Sequence, residues 1–372
     1  MKFTCHQQQL AKGLNTVSKA ISNRTTILAL KGILLKADEN NQLTLTSSDM
    51  DFSIERTIDA DVQEPGSVIV MAKLFSEIIR KLPYQVISVS VDEDVKVTIT
   101  TDTSEFTIVG MAADEFPNIG TMEETSSTLL FDRNLLRSMI NKTQFCVSND
   151  ESRGIITGLL MELEENSFNM AALDGFRMAV ARETMKNAQE NSLVIHGKIM
   201  NEINKILGES DEEEQDITFL LGNKKATIIM NRTRIIMRLL DGEFIKYKDI
   251  LKTEKNTQII IDKKALSNAI ERASLLAKEG KNNLVILKIE EDVLTIRSTS
   301  EEGRVKEQLT MDKRGNDLEI GFNSKYLLDA LKVIDDEQVV LDMNTAVTPC
   351  ILHPIEGNAY EYLILPVRIP AN

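Results

Sequence analysis

The sequence predicts an α+β fold made of three tandem copies of one domain, each carrying two helices on antiparallel sheet. Three observations point there. Similar blocks recur in the same order at a period near 125 residues. Each copy alternates short strand patterns with two amphipathic helical stretches. No apolar run approaches the ~18 residues of a membrane span.

The blocks can be followed along the chain. LTLTSSDMDFSIER, FNMAALDGFRMAVAR and LTIRSTSEEGRVKE start at Leu43, Phe168 and Leu294, offsets of 125 and 126. Phe3, Phe131 and Ile261 correspond at offsets of 128 and 130. Each opens an amphipathic stretch: Leu10, Leu14 and Val17; Leu136 and Ile140; Leu266, Ile270 and Ala273. VIVMAKLFSEIIRKL, LVIHGKIMNEINKIL and LEIGFNSKYLLDALKVI form a third block, aligning Lys73, Lys198 and Ser324. A period this long exceeds that of solenoid repeats, so each copy is a domain, expected at 1–122, 128–250 and 256–372. Within a copy the order is strand, helix of about three turns, alternating strands, then a second strand, helix and strand set. VISVSVDEDVKVTIT shows the strand grammar: Ile87, Val89 and Val91 alternate, Asp92-Glu93-Asp94 turns, and Val95, Val97 and Ile99 alternate again. About eight strands per copy, with helices laid on one face, are expected.

Composition excludes several classes of function. Lys and Arg number 43 against 57 Asp and Glu, a net charge of −14 over 372 residues. A uniformly acidic surface does not coat nucleic acid or anionic membrane. Apolar content of 42% and charged content of 27% indicate a globular chain. The opening MKFTCHQQQL lacks the apolar core of a signal peptide. Cys5, Cys146 and Cys350 are far apart and odd in number, fitting neither a disulfide framework nor a zinc spacing, so a reducing cytoplasm is expected. Trp is absent and aromatics make up 5%, which argues against a stacking platform for bases.

The charge is not evenly spread. Six helical windows, 7–20, 73–82, 132–143, 198–207, 262–280 and 324–334, are each net positive and together carry +9. The rest of the chain therefore carries −23. Lys and Arg are good helix formers and suit helix C-termini, which explains part of this bias. A shared basic surface for a polyanion, touching backbone without reading sequence, is the other reading, and the bias of all six windows favours it.

Catalytic signatures are lacking. There is no GxxxxGK[ST] loop, GxSxG elbow or HExxH, and His6, His196 and His353 are isolated. The acidic run ESDEEEQD at 209–216 reads as a solvated loop. Asp174 in LDGFRMAV is the most enzyme-like carboxylate, but it lacks a nearby acid or base and precedes a turn glycine. No catalytic residue, metal or cofactor is expected.

The opening MKFT and the segments TQFCVSNDESRGIITG, LDGFRMAV, DGEFIKY, GFNSKYLLDAL and YLILPVRI, in that order, resemble the bacterial β sliding clamp family, the processivity subunit of DNA polymerase III. The resemblance runs from residue 1 to about 369. It implies the DNA clamp fold, in which a crescent protomer closes head to tail with a second copy into a six-domain ring. Such a homodimer encircles double-stranded DNA without sequence preference, basic helices inward. It tethers the DNA polymerase III catalytic subunit, the clamp loader, other polymerases and repair proteins through short apolar peptides, with no membrane involved. A paralogous clamp in repair or antibiotic resistance, or a monomeric three-domain enzyme acting on a polyanion, are the alternatives.

The resemblance also implies sites. One wall of the peptide groove is expected from Ile156, Leu173, Gly175, Phe176, Arg177 and Met178. Ile245, Ile250, Val347 and Pro349 face them, with Leu363, Ile364, Leu365, Pro366, Val367 and Arg368 from the last strand. Phe176 stands where many relatives carry His, Ile245 where many carry Pro, and the tail Pro370-Ala371-Asn372 runs past the usual end. Arg24 and Lys198 are expected to face DNA, together with Lys12, Lys73, Arg80, Arg137, Lys142, Arg153, Lys205 and Lys332. Leu275 and Leu276 match an apolar pair of the family's dimer interface.

Overall fold

The computed structural model describes residues 1–22, 25–119, 127–186, 190–209 and 216–370. Its described helices are α1 (Gln7–Val17), α2 (Ala72–Lys81), α3 (Arg133–Thr143), α4 (Gly197–Glu209), a four-residue α5 (Tyr247–Ile250), α6 (Lys263–Ala277) and α7 (Ser324–Lys332). The chain falls into two compact units, Met1–Leu135 with Lys205–Leu239, and Leu136–Asn204 with Leu240–Asn372.

The first unit holds two antiparallel sheets. The larger runs Ser127–Asp132, Asp216–Leu221, Lys225–Met230, Thr233–Arg238, Phe52–Asp59, Gln42–Ser48, Gly32–Ala37 and Gly66–Met71. It therefore joins the first repeat to the second, through Ile235 opposite Ile54. The smaller runs Asp61–Glu64, Lys2–His6, Val86–Val91, Lys96–Thr100 and Glu105–Val109. α1 packs on Phe52–Asp59 and on α2.

The second unit repeats the plan. Its larger sheet runs Asn191–His196, Gly158–Glu164, Ser167–Leu173, Arg177–Thr184, Tyr360–Ile364, Cys350–His353, Gln338–Met343, Thr257–Asp262 and Asp312–Gly315. Here the second repeat joins the third, with Met178 opposite Leu363. A four-stranded sheet of Gly303–Thr310, Val293–Ser300, Leu284–Glu290 and Leu318–Asn323 carries α6.

The repeat determines what is buried. Phe3, Phe131 and Ile261 are all buried, each on a strand running straight into a helix. The caps recur in part: Asp132 accepts from Leu135 N at 2.8 Å, Asp262 from Ala265 N at 2.6 Å and Asn323 from Lys325 N at 3.0 Å. Each such cap satisfies an N–H that the first helical turn leaves unpaired. The expected hairpin forms with Val89 opposite Ile99, and Asp92 closes its turn by accepting from Lys96 N at 2.8 Å.

Two expectations need correction. The first and third repeats have nine described strands, not eight. The additional ones, Asp61–Glu64 and Asp312–Gly315, pair beside the opening strand of their repeat. The observed helices still sum to +9, but not all are positive. α4 extends to Glu209 and becomes neutral, and Glu209 accepts from Lys19 Nζ at 2.9 Å.

Candidate peptide groove and basic helices

The second unit gathers several of the expected groove residues around one turn. Strand Ser167–Leu173 reverses into Arg177–Thr184 through Asp174, whose Oδ1 accepts from Phe176 N at 2.9 Å and Arg177 N at 3.0 Å. Gly175 takes φ +90°, where a side chain is strained. The turn leaves Phe176 half-exposed and sends Arg177 inward. Leu365 N then donates to Phe176 O at 2.9 Å, tying the end of the last strand to the turn.

Beneath the turn lies a buried apolar cluster of Leu160, Ala171, Leu173, Met178, Val180, Val194, Tyr247, Ile351 and Leu363. Ile155, Ile156, Leu240, Phe244 and Leu251 pack on it half-buried. Phe176, Ile245, Ile250, Val347 and Leu365 are exposed apolar side chains, Val347 the most so at 71%. Exposed apolar side chains are poorly solvated, which makes these residues candidates for a contact site. α5 is held over strand Gly158–Glu164 by Tyr247 Oη donating to Glu162 at 2.7 Å and by Lys248 Nζ reaching Glu164 at 2.5 Å. Burial, followed by that Glu162 bond, pushes the Tyr247 hydroxyl well above the usual phenol range.

Arg177 is a support beneath the groove and not an apolar wall. Its side chain is 9% exposed, with Nε to Asp174 at 3.0 Å, Nη1 to Asp329 at 2.6 Å and Nη2 donating to Phe145 O at 2.8 Å. The guanidinium also lies 4.5 Å from the Tyr326 ring centre. Burial opposes its charge, but the two carboxylates outweigh that and hold its pKa above the ordinary value. Phe176 stacks on Tyr326 as well, 6.4 Å between ring centres at 27°.

Several assignments move. Ile364 is buried on the opposite sheet face from Leu363, because side chains alternate along a strand. Val367 N donates to Gly321 O at 2.8 Å, so the tail turns from the cluster toward strand Leu318–Asn323, with Arg368 exposed beyond it. Gly175 is exposed, and Pro349 and Pro366 are half-buried. Arg153, expected to face DNA, folds onto the turn: its Nη1 donates to Asp174 O and its guanidinium lies 6.0 Å from the Phe176 ring centre. Sequence reasoning missed Ile155, Leu240, Phe244, Leu251 and Ile351. Phe244 was legible in the DGEF motif; Ile351 needed the strand pairing that sets it opposite Leu363.

The helices present the expected basic residues. Lys12, Lys73, Arg80, Arg137, Lys205 and Lys332 are exposed, and Lys142 is half-buried. Lys198 is 63% exposed yet bonded to Glu151. That bond, and a second from His196 at 2.9 Å, hold the Glu151 carboxyl down at about 2. Arg24 and the last two tail residues lie outside the described residues. On α6, Leu275 is 67% exposed and Leu276 half-buried. Cys5, Cys146 and Cys350 are buried free thiols, and burial raises all three, Cys5 to about 12. Among the described residues, none form a cluster of His, Cys, Asp or Glu able to hold a metal ion, and no helix is long and apolar enough to cross a membrane.

Residues 1–120, 131–246 and 248–368 match the N-terminal, central and C-terminal domains of the DNA polymerase III beta subunit. The chain belongs to the DNA polymerase III beta subunit family. It is 35% identical over 379 residues to the beta sliding clamp of Staphylococcus aureus Mu50, covering 99% of each. The DNA polymerase sliding clamp structure from Bacillus subtilis matches over the full length of both chains at a TM-score of 0.94 and 32% identity. A Pseudomonas aeruginosa sliding clamp bound to griselimycin matches at 0.92 and 25%, covering 99% of this chain and all of that one. The fold is thus the three-domain DNA clamp fold. The chain's function is that of a sliding clamp, an accessory factor of DNA polymerase III without catalysis of its own.

Proposed function

We propose that the chain closes with a second copy into a cytoplasmic ring around duplex DNA and holds its partners by short apolar peptides seated in the groove of the second unit. The polymerase catalytic subunit, the clamp loader and other polymerases or repair proteins share that groove. The observation that carries the reading is the apolar cluster under Asp174–Arg177, with the exposed Phe176 and Leu365 tied together beside it by the Leu365 N to Phe176 O bond. One or two apolar anchors entering such a floor supply most of the affinity of a short peptide.

Closure is supported by two unpaired sheet edges. Strand Glu105–Val109 ends the five-stranded sheet and exposes Phe106 and Val109, while strand Gly303–Thr310 ends the four-stranded sheet near the exposed Leu275. An open edge offers its unpaired N–H and C=O groups to another strand, and the exposed Arg304 and Lys306 favour an oppositely charged one. A head-to-tail contact between these edges closes a ring when the rotation between copies allows it. The exposed basic side chains of the helices suit diffuse phosphate contact, which permits sliding.

The test is peptide binding followed by anisotropy. Met178→Ala with Leu365→Ala is expected to weaken a QLxLF-like peptide by about tenfold or more, two truncated apolar contacts at ~1 kcal/mol each. Unchanged affinity removes the groove from the reading.

A further inference from the structure

The groove has an unassigned counterpart in the first unit, re-lined with charge. Strand Gln42–Ser48 reverses into Phe52–Asp59 through Asp49, whose Oδ1 accepts from Asp51 N at 3.1 Å and Phe52 N at 2.7 Å. These are the bonds that Asp174 makes at the groove turn. Met50 takes φ +83°, matching Gly175 at +90°. Arg238 N donates to Asp51 O at 2.9 Å, as Leu365 N donates to Phe176 O. A cavity of about 190 Å³ opens beside this turn.

Strand register shows what changed. The groove floor row Met178, Leu363 and Ile351 corresponds to Ser53, Ile236 and Thr227. Thr227 is fully buried, and its hydroxyl has no hydrogen-bond partner among the described residues. At the rim, Phe176 and Leu365 become Asp51 and Arg238, an exposed pair 3.7 Å apart. Lys225 sits opposite Arg238, where Pro349 stands in the groove. Lys224, beside it, is exposed, and neither lysine has a carboxylate partner among the described residues.

We propose that this cavity is a second docking site, selective for a short acidic peptide that inserts one aliphatic side chain between Met50 and Ile236 and sets carboxylates against Lys224, Lys225 and Arg238. Charge complementarity selects the occupant: three cations and one anion ring the opening. The apolar part is limited to Met50, Ile119, Ile236 and Met237. The analogy rests on the other cavity being a peptide groove, but the chemistry of this one stands on its own residues.

The probe is a fluorescein-labelled peptide of alternating aspartate and leucine, DLDLD, titrated into the full-length protein. Saturable binding is expected. Lys224→Glu with Lys225→Glu should weaken it by about tenfold or more, each reversed contact counting for several-fold. Lys224→Arg with Lys225→Arg should retain it, and Met178→Ala with Leu365→Ala should leave it unchanged. Non-saturable binding, or affinity indifferent to the glutamate pair, overturns the proposal. So does loss on the Met178 and Leu365 pair, since the probe then occupies the groove. The QLxLF-like peptide, titrated into the same variants, reports separately on the groove, so either site can fail alone.

Discussion

Gly175 and Met50 occupy one backbone position in two repeats, and only one of them is suited to it. At φ +90° glycine has no Cβ to strain, and a Cβ built there lies 2.7 Å from Arg153 Nη1. Gly175→Ala is expected to cost ~1–3 kcal/mol, read from the urea midpoint, and to release Arg153 from Asp174. Met50→Gly should do the reverse and raise stability by about 1 kcal/mol, the relieved strain exceeding glycine's larger loss of freedom on folding. A second residue-scale effect concerns pH. His353 lies between two acceptors, Asp342 Oδ2 at 2.7 Å and Pro354 O at 2.8 Å, so both ring nitrogens donate only when the ring is charged. The Asp342 bond raises its pKa above the ordinary value. Burial pushes the Asp342 carboxyl up, but bonds from His353, Lys255 and Gln258 prevail and hold it at about 2. The histidine's contribution is full below its unfolded value of about 6.5 and is lost as pH rises through the raised folded value. The aspartate's contribution is present above about 3.9 and is lost as pH falls toward 2. His353→Gln should therefore lower Tm most near pH 5–6, and the difference should shrink in alkaline buffer. A Tm difference independent of pH would mean that His353 is neutral in the fold.

Among the elements, helices and turns were legible where a local rule acted, and hidden where a long-range partner decided. The strand-to-helix starts at Phe3, Phe131 and Ile261 could be read because burial and spacing repeat together. The groove turn was legible through Asp174-Gly175, whose hydrogen bonds are local. The bond from Arg153 to the groove turn was hidden because its partner, Asp174 O, is 21 residues away, and nothing in SRGI signals it. Ile364 was misplaced for a simpler reason: YLIL is apolar throughout, so alternation does not show which residue faces the groove. Helix α6 carries the next test. Leu275 is 67% exposed on a helix whose inner side, Leu266, Ile270 and Ala273, is buried, so changing it does not touch that core. Leu275→Asp is expected to leave thermal unfolding of the chain intact while shifting sedimentation from dimer toward monomer. Burying an unpaired carboxylate in an apolar contact costs several kcal/mol, equivalent to a loss of roughly a hundredfold or more in association. A fully dimeric variant at micromolar concentration would move the contact elsewhere on the chain.

At the scale of the whole molecule, the net charge of −14 argues against ordinary DNA binding, while +9 on the helices argues for contact with it. Enclosure reconciles the two. Phosphate contacts made inside a closed ring need not hold the protein on DNA; they need only keep it centred, and weak contacts let it slide. Ordinary binding weakens steeply with salt, by roughly 0.9 logarithmic units per phosphate contact for each tenfold rise, whereas a topological link does not depend on counterions. Retention on nicked circular DNA should thus persist when salt is raised well above ~0.15 M, where the screening length is already about 8 Å. On linear DNA of the same length the protein should run off the ends at all salt concentrations. Lys73→Glu with Arg80→Glu, both exposed on α2, should leave the half-life on closed circles unchanged once the ring is loaded. The same pair should slow loading, because the opposing charge repels duplex at the approach. Equal half-lives on circular and linear DNA, both falling with salt, would mean that the helices bind phosphate in the ordinary way and that no ring is closed.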